Sequence, residues 1–169
     1  MIRTLVLATL LLCGLSAQAE PAVDGGLLGV DESALKQLFP DISRLAKPVL
    51  GPHRSRGSWR LARTPLANLS LATTFFFKSR QLVRIEQQTV LGQPMCPAPM
   101  SEAPWFSQLQ TRYGSGLAAN NTNDRGLLQQ SVVWVAQEAD VSLYLTQQAA
   151  QCEVLLVYQS HVEKDATTL

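Results

Sequence analysis

The sequence predicts an α+β fold, with two helical segments on one face of a mostly antiparallel sheet of five or six strands. Three observations carry this. Apolar residues recur at helical spacing in two separate stretches, around Leu35 to Phe39 and around Trp105 to Tyr113. Over Leu69 to Phe77 the apolar period changes to two, as a strand with one buried face requires. A polar turn at Lys78-Ser79-Arg80-Gln81 then divides two alternating runs in the manner of a hairpin.

At the N-terminus, Arg3 precedes an apolar run from Leu5 to Leu15, and Ser16-Ala17-Gln18-Ala19 follows it. A charged start, a short apolar core and an Ala-x-Ala site read as a signal peptide over residues 1–19, cleaved after Ala19. The run is well short of the roughly 20 apolar residues a spanning helix needs. Leu12 stands before Cys13, where a lipoprotein signal would have a small residue. Export to the periplasm or beyond is therefore expected, with no transmembrane segment in the mature chain. Residues 20–30 are Gly-rich and without period, and are read as a flexible arm. Residues 31–169 are left as a single α+β domain of a length that buries a real core. With 46% hydrophobic and 16% charged residues, the composition excludes general disorder.

Asp31 is placed to cap the first helix, in which Leu35, Leu38 and Phe39 share a face. Pro40 interrupts the pattern, and Ile42, Leu45 and Ala46 resume it before Pro48 and Gly51, giving two short helices or one broken at Pro40. Trp59, Leu61 and Arg63 begin a strand that Pro65 should stop or confine to an edge. Leu69, Leu71, Thr73, Phe75 and Phe77 line one face of the next strand, and Val83 and Ile85 belong to its return. Ser101 is the expected cap of a second helix whose face carries Trp105, Phe106, Leu109 and Tyr113, with Gly114 as its stop. Gly116 to Gly126 reads as an exposed loop. Three strands follow, over Ser131 to Gln137, Val141 to Thr146 and Cys152 to Gln159. The expected core is Trp59, Leu71, Phe75, Phe77, Val83, Ile85, Trp105, Phe106, Leu109, Trp134, Val141, Leu143, Val154 and Leu156, since apolar residues in these patterns must be covered.

Chemistry is sparse. With the leader gone, two cysteines remain, Cys96 and Cys152, and an even pair in an exported chain reads as a disulfide. His53 and His161 lack partners at metal-ligand spacing, Gly114-Ser115-Gly116 lacks the strand-to-helix setting of a nucleophile elbow, and the carboxylate pairs suit a helix start and a turn. No catalytic residue, metal site or cofactor is assigned. Charge is more informative: between Asp41 and Glu86 every charged residue is basic. Arg54, Arg56, Arg60 and Arg63 form the centre of this run and are the expected anion- or partner-binding residues, since arginine's planar donors match carboxylate and phosphate groups. The expected partner is another protein or an anionic envelope component; nucleic acid does not fit an exported chain.

The pattern repeats weakly, with Asp41 to Gln87 as one copy and Trp105 to Gln159 as the other, Trp59 matching Trp134. In element order, and in Leu50-Gly51-Pro52 and Tyr113-Gly114 after the two helices, the chain resembles tandem helix-plus-three-strand envelope modules of two kinds, β-lactamase-inhibitor-like and small outer-membrane-assembly-lipoprotein-like. The resemblance implies a curved sheet that binds another protein, and assigns no individual residue. Three functions stay open: a non-catalytic protein-binding module such as a periplasmic inhibitor or immunity protein, an envelope-assembly or lipid-contacting accessory factor using a basic surface, and a small periplasmic hydrolase.

Overall fold

The computed structural model describes residues 21–122, 125 and 127–161; the expected signal peptide, residues 1–19, lies outside them. Asp31 caps the first helix, α1 (Glu32–Leu38), its Oδ1 accepting from the N–H groups of Ser33 and Ala34, each at 2.8 Å. Four strands follow as a meander: β1 (Ser43–Leu50), β2 (Arg56–Leu66), β3 (Leu69–Lys78) and β4 (Gln81–Gly92). The second helix, α2 (Pro104–Tyr113), starts the same sequence of elements again, with β5 (Leu117–Thr122), β6 (Leu128–Val135), β7 (Asp140–Gln148) and β8 (Gln151–Gln159). Pro104 opens α2 and Gly114, at φ +78°, ends it, so Ser101 is not the cap; it lies in a preceding 3-10 turn, Met100–Glu102.

All eight strands join one antiparallel sheet in the order β1-β2-β3-β4-β8-β7-β6-β5. The α+β class stands, and the count of five or six strands is too low by the two edges. Ile42, Leu45 and Ala46 lead into and along β1, not a helix, and Pro48 is accommodated because β1 is an edge strand. The Asn-rich stretch expected as a loop supplies β5, which pairs along its length with β6. Pro65 lies beyond the part of β2 that β1 pairs, so it also has an open edge beside it.

The two hairpins beside the central seam are alike. Ser79-Arg80 turns β3 into β4, and Ala149-Ala150 turns β7 into β8, each two residues long. Ser79 and Arg80 both have positive φ, 52° and 69°, which matches the twist of a tight hairpin.

Both helices pack on one face of the sheet, where Leu35, Phe39, Trp105 and Leu109 join a single cluster with Leu71, Phe75, Ile85, Leu143, Val154 and Leu156. The expected core is found there with two corrections. A bulge shifts the β3–β4 register between Phe76 and Phe77, so Phe77 faces Leu82 while Phe76 faces Arg84. Val83 is the extra residue; Leu82 takes the fully buried place and Val83 is left half-buried. Phe106 is likewise half-buried, against Trp134 with ring centroids 6.1 Å apart.

Residues 21–30, read as an arm for want of periodicity, are built into the domain. Asp24 caps a 3-10 turn (Gly25–Leu27) through the N–H of Gly26, and Leu27 is buried. Gly29 N–H donates to Leu82 C=O at 2.8 Å, and Leu82 N–H to Val30 C=O at 2.9 Å. The capping aspartate, buried Leu27 and partly buried Val23, Leu28 and Val30 anchor the segment, and none of them leaves a repeating pattern.

Candidate functional site

The sheet has one face covered by helices and, among the described residues, no helix on the other. Cross-strand register defines this bare face. One row runs Arg60, Thr74, Glu86, Val157, Ser142, Val133 from β2 to β6, and the next runs Ala72, Gln88, Leu155, Tyr144, Ser131, Ala119 from β3 to β5. Large side chains lie at the centre and small hydroxyl or methyl side chains lie around them. Val157 is only 3% exposed although no helix covers it, and Tyr144 and Leu155 are half-buried, so neighbouring side chains shelter one another. Phe76, at 2% exposure, lies in the row beside them, packed against Gly51 and Gly57. A Cβ on Gly57 would come within 2.9 Å of the Phe76 ring, so the cross-strand glycine is what lets the ring lie flat there.

Charges on this face are partly neutralised. Arg84 Nε donates to Glu86 Oε1 at 2.6 Å and its Nη1 to Gln159 Oε1 at 2.5 Å. Arg60 and Glu153 line a shallow recess of about 310 Å³ with Ser70, Gln88 and Val90.

The four arginines singled out from the sequence do not form one patch. Arg54 lies in the β1–β2 connection at φ +63°, and Arg56, opposite Phe77, has the parity of the helix-covered face. Arg60 is on the bare face opposite Thr74. Arg63 falls in a second bulge, between Leu61 and Thr64, which returns it to the helix side. At about 3.3 Å per residue, Arg56 and Arg63 are roughly 20 Å apart along the strand. All four are exposed.

Arg63 lines a cleft of about 550 Å³ on the helix side, between α2, the far end of β2 and the segment from Pro21 to Val23. Arg112 lines it too, ion-paired with Asp24. Tyr158, in the same lining, is almost wholly buried. Burial, followed by the neighbouring Tyr113 hydroxyl, pushes its ionisation far above the ordinary 10.0, and burial raises Tyr113 as well against the opposing charge of Arg112. Both phenols stay neutral at any physiological pH. The sequence reading missed Thr64 and Gln87 here: a bulge between Leu61 and Thr64 turns Thr64 inward without a mark on the alternation, and Gln87, in phase with Ile85, is polar and does not extend the apolar pattern.

Cys96 and Cys152 stand at disulfide distance, with Cα atoms 5.8 Å apart across 56 residues of chain. The pair links the connector before α2 to the start of β8. His53 and His161 are exposed, and His161 Nδ1 lies 3.1 Å from Asp140 Oδ1. Among the described residues, no group of three or more His, Cys, Asp or Glu side chains could hold a metal ion, and no helix is long and apolar enough to cross a membrane.

In comparisons with known proteins, the chain matches no family model, no curated protein and no solved structure.

Proposed function

We propose that this protein is an exported, non-catalytic binding module that holds another protein against the bare face of its sheet, as an inhibitor or immunity protein would. The observation that carries this reading is the placement of both helices on one side of an eight-stranded sheet, which leaves the other side without a helix among the described residues. Eight strands about 4.8 Å apart span roughly 34 Å. A standard protein interface takes about 800 Å² from each partner, and a face of that width accommodates one.

The composition of the face fits such a use. Tyr144 and Leu155, both half-buried, offer an apolar centre, Tyr being a favoured interface residue. Ser131, Ser142, Thr74 and Ala72 around them are short enough for a partner's backbone to approach, and Arg60, Glu86, Gln88 and Glu153 give a polar rim.

Site-specific photo-crosslinking in the native envelope tests the reading. A photoreactive residue at Ala72 or Ser142 is expected to yield a discrete adduct with a second protein, and one at Gln37 on α1 or Ser107 on α2 is not. Adducts from the helix positions alone, or none from the sheet, would count against it.

A further inference from the structure

The helix-covered face contains an asymmetry between the two halves that the fold does not require. One transverse row reads Leu61, Thr73, Gln87, Leu156, Leu143, Val132 across β2, β3, β4, β8, β7 and β6. Across the β4–β8 seam, Thr73 corresponds to Leu143 and Gln87 to Leu156. All four are buried, none more than 2% exposed. The second half satisfies these positions with leucine, whereas the first buries a hydroxyl and an amide, which costs free energy unless their hydrogen bonds are made well.

They are made, but two of them are long. The Thr64 and Thr73 hydroxyls are 2.6 Å apart. Gln87 Nε2 reaches Thr73 Oγ1 at 3.4 Å and the Val23 carbonyl at 3.3 Å, both at the long end for an amide donor. The 550 Å³ cleft opens over this polar row, with Thr64 and Gln87 in its lining. Val23, Leu61, Leu66 and Leu109 supply apolar walls. Arg63 supplies a guanidinium with no ion-pair partner among the described residues, whereas the charge of Arg112 is shared with Asp24.

We infer that this cleft binds a small organic acid with an apolar body, its carboxylate or phosphate engaged by Arg63, Thr64 and Gln87 and its body lying against Leu61, Leu66 and Leu109. A guanidinium beside neutral donors is the donor set that planar anions select. The volume is in the range of about 300–1,000 Å³ usual for ligand pockets. The site lies on the opposite side of the sheet from the protein-binding face and does not depend on that reading.

The test uses the purified protein and four ten-carbon probes below their micelle concentrations: decanoate, decyl phosphate, decanol and decyltrimethylammonium, each titrated calorimetrically. At least one anion is expected to bind about tenfold or more tighter than decanol, as a charge-assisted hydrogen bond provides, and the cation weakest. Whichever anion binds better identifies the headgroup. Arg63→Gln, at an exposed position, should weaken that anion about tenfold without changing the melting temperature. Gln87→Leu, which installs the residue of the second half, should weaken it several-fold while the protein stays folded. Absence of anion binding, equal binding of decanol, or an unchanged anion affinity in folded Arg63→Gln would each overturn the inference.

Discussion

Trp59 and Trp134 close opposite ends of one transverse row on the helix-covered face: Trp59, Phe75, Ile85, Tyr158, Val141, Trp134. The row mirrors itself about the β4–β8 seam, but its ends differ. Trp134 Nε1–H donates to Gly114 C=O at 2.8 Å, and its ring packs against Phe106 and Tyr113. Trp59 Nε1–H is buried with no acceptor among the described residues. Its ring has cations near it instead, Lys36 Nζ at 4.4 Å and Arg44 Cζ at 5.9 Å.

The difference between the two indoles is measurable. Replacing either tryptophan by phenylalanine removes similar apolar volume, but Trp134→Phe also breaks a hydrogen bond to a helix-end carbonyl. Trp59→Phe removes an already unpaired donor. Urea melts should show Trp134→Phe to be the more destabilising by about 1–3 kcal/mol. Equal losses, or the reverse order, would contradict the greater weight given to the Trp134 hydrogen bond.

Alkaline stability should follow the buried phenols. Tyr158 and Tyr113 ionise above their ordinary 10.0 in the folded chain. Between the unfolded and folded values the unfolded chain has lost the proton and the folded chain keeps it, so stability falls as pH rises. Their contribution is complete below about pH 10 and declines above it by about 1.4 kcal/mol per pH unit for each such group. Urea midpoints taken from pH 8 to 11.5 should show this decline, and Tyr158→Phe should make it shallower. An identical slope in that variant would remove Tyr158 from the account.

Cys96 and Cys152 are expected to be oxidised in the native protein. Thiol labelling of denatured, unreduced protein should find neither Cys96 nor Cys152 reactive, and Cys152→Ala should cost about 2–5 kcal/mol. Two labelled thiols per chain would contradict the bond.

What the sequence made legible, and what it hid, divides along the sheet. β3 was readable because Leu69, Leu71, Thr73, Phe75 and Phe77 all turn to the covered face, and the Ser79-Arg80 turn marks where it ends. α1 and α2 were readable from Asp31 and Gly114 at their ends. The two missed strands are the two edges. β1 and β5 are exposed on almost every residue, so neither carries an alternation to detect, and the spacing of Ile42, Leu45 and Ala46 imitates a helix turn. The arginine run was visible as charge, but its division between faces follows from bulges after Gly57 and Leu61 that shift parity within one strand. The same bulge bears on the cleft, because Thr64 reads as a solvent position until the extra residue is counted. Gln87 is in phase with Ile85 and was hidden because a glutamine does not extend an apolar alternation.

Use of the bare sheet face for protein contact is tested most directly by blocking its centre. Ser142 lies half-buried between Val157 and Val133, where an arginine would project from the face without entering the core. With the crosslinked partner purified, its affinity for the native protein and for Ser142→Arg should be compared by titration calorimetry, after melts show both to be folded. Ser142→Arg is expected to weaken binding by about a hundredfold, the scale of a central hot-spot disruption. Unchanged affinity in the folded variant would place the partner elsewhere on the molecule.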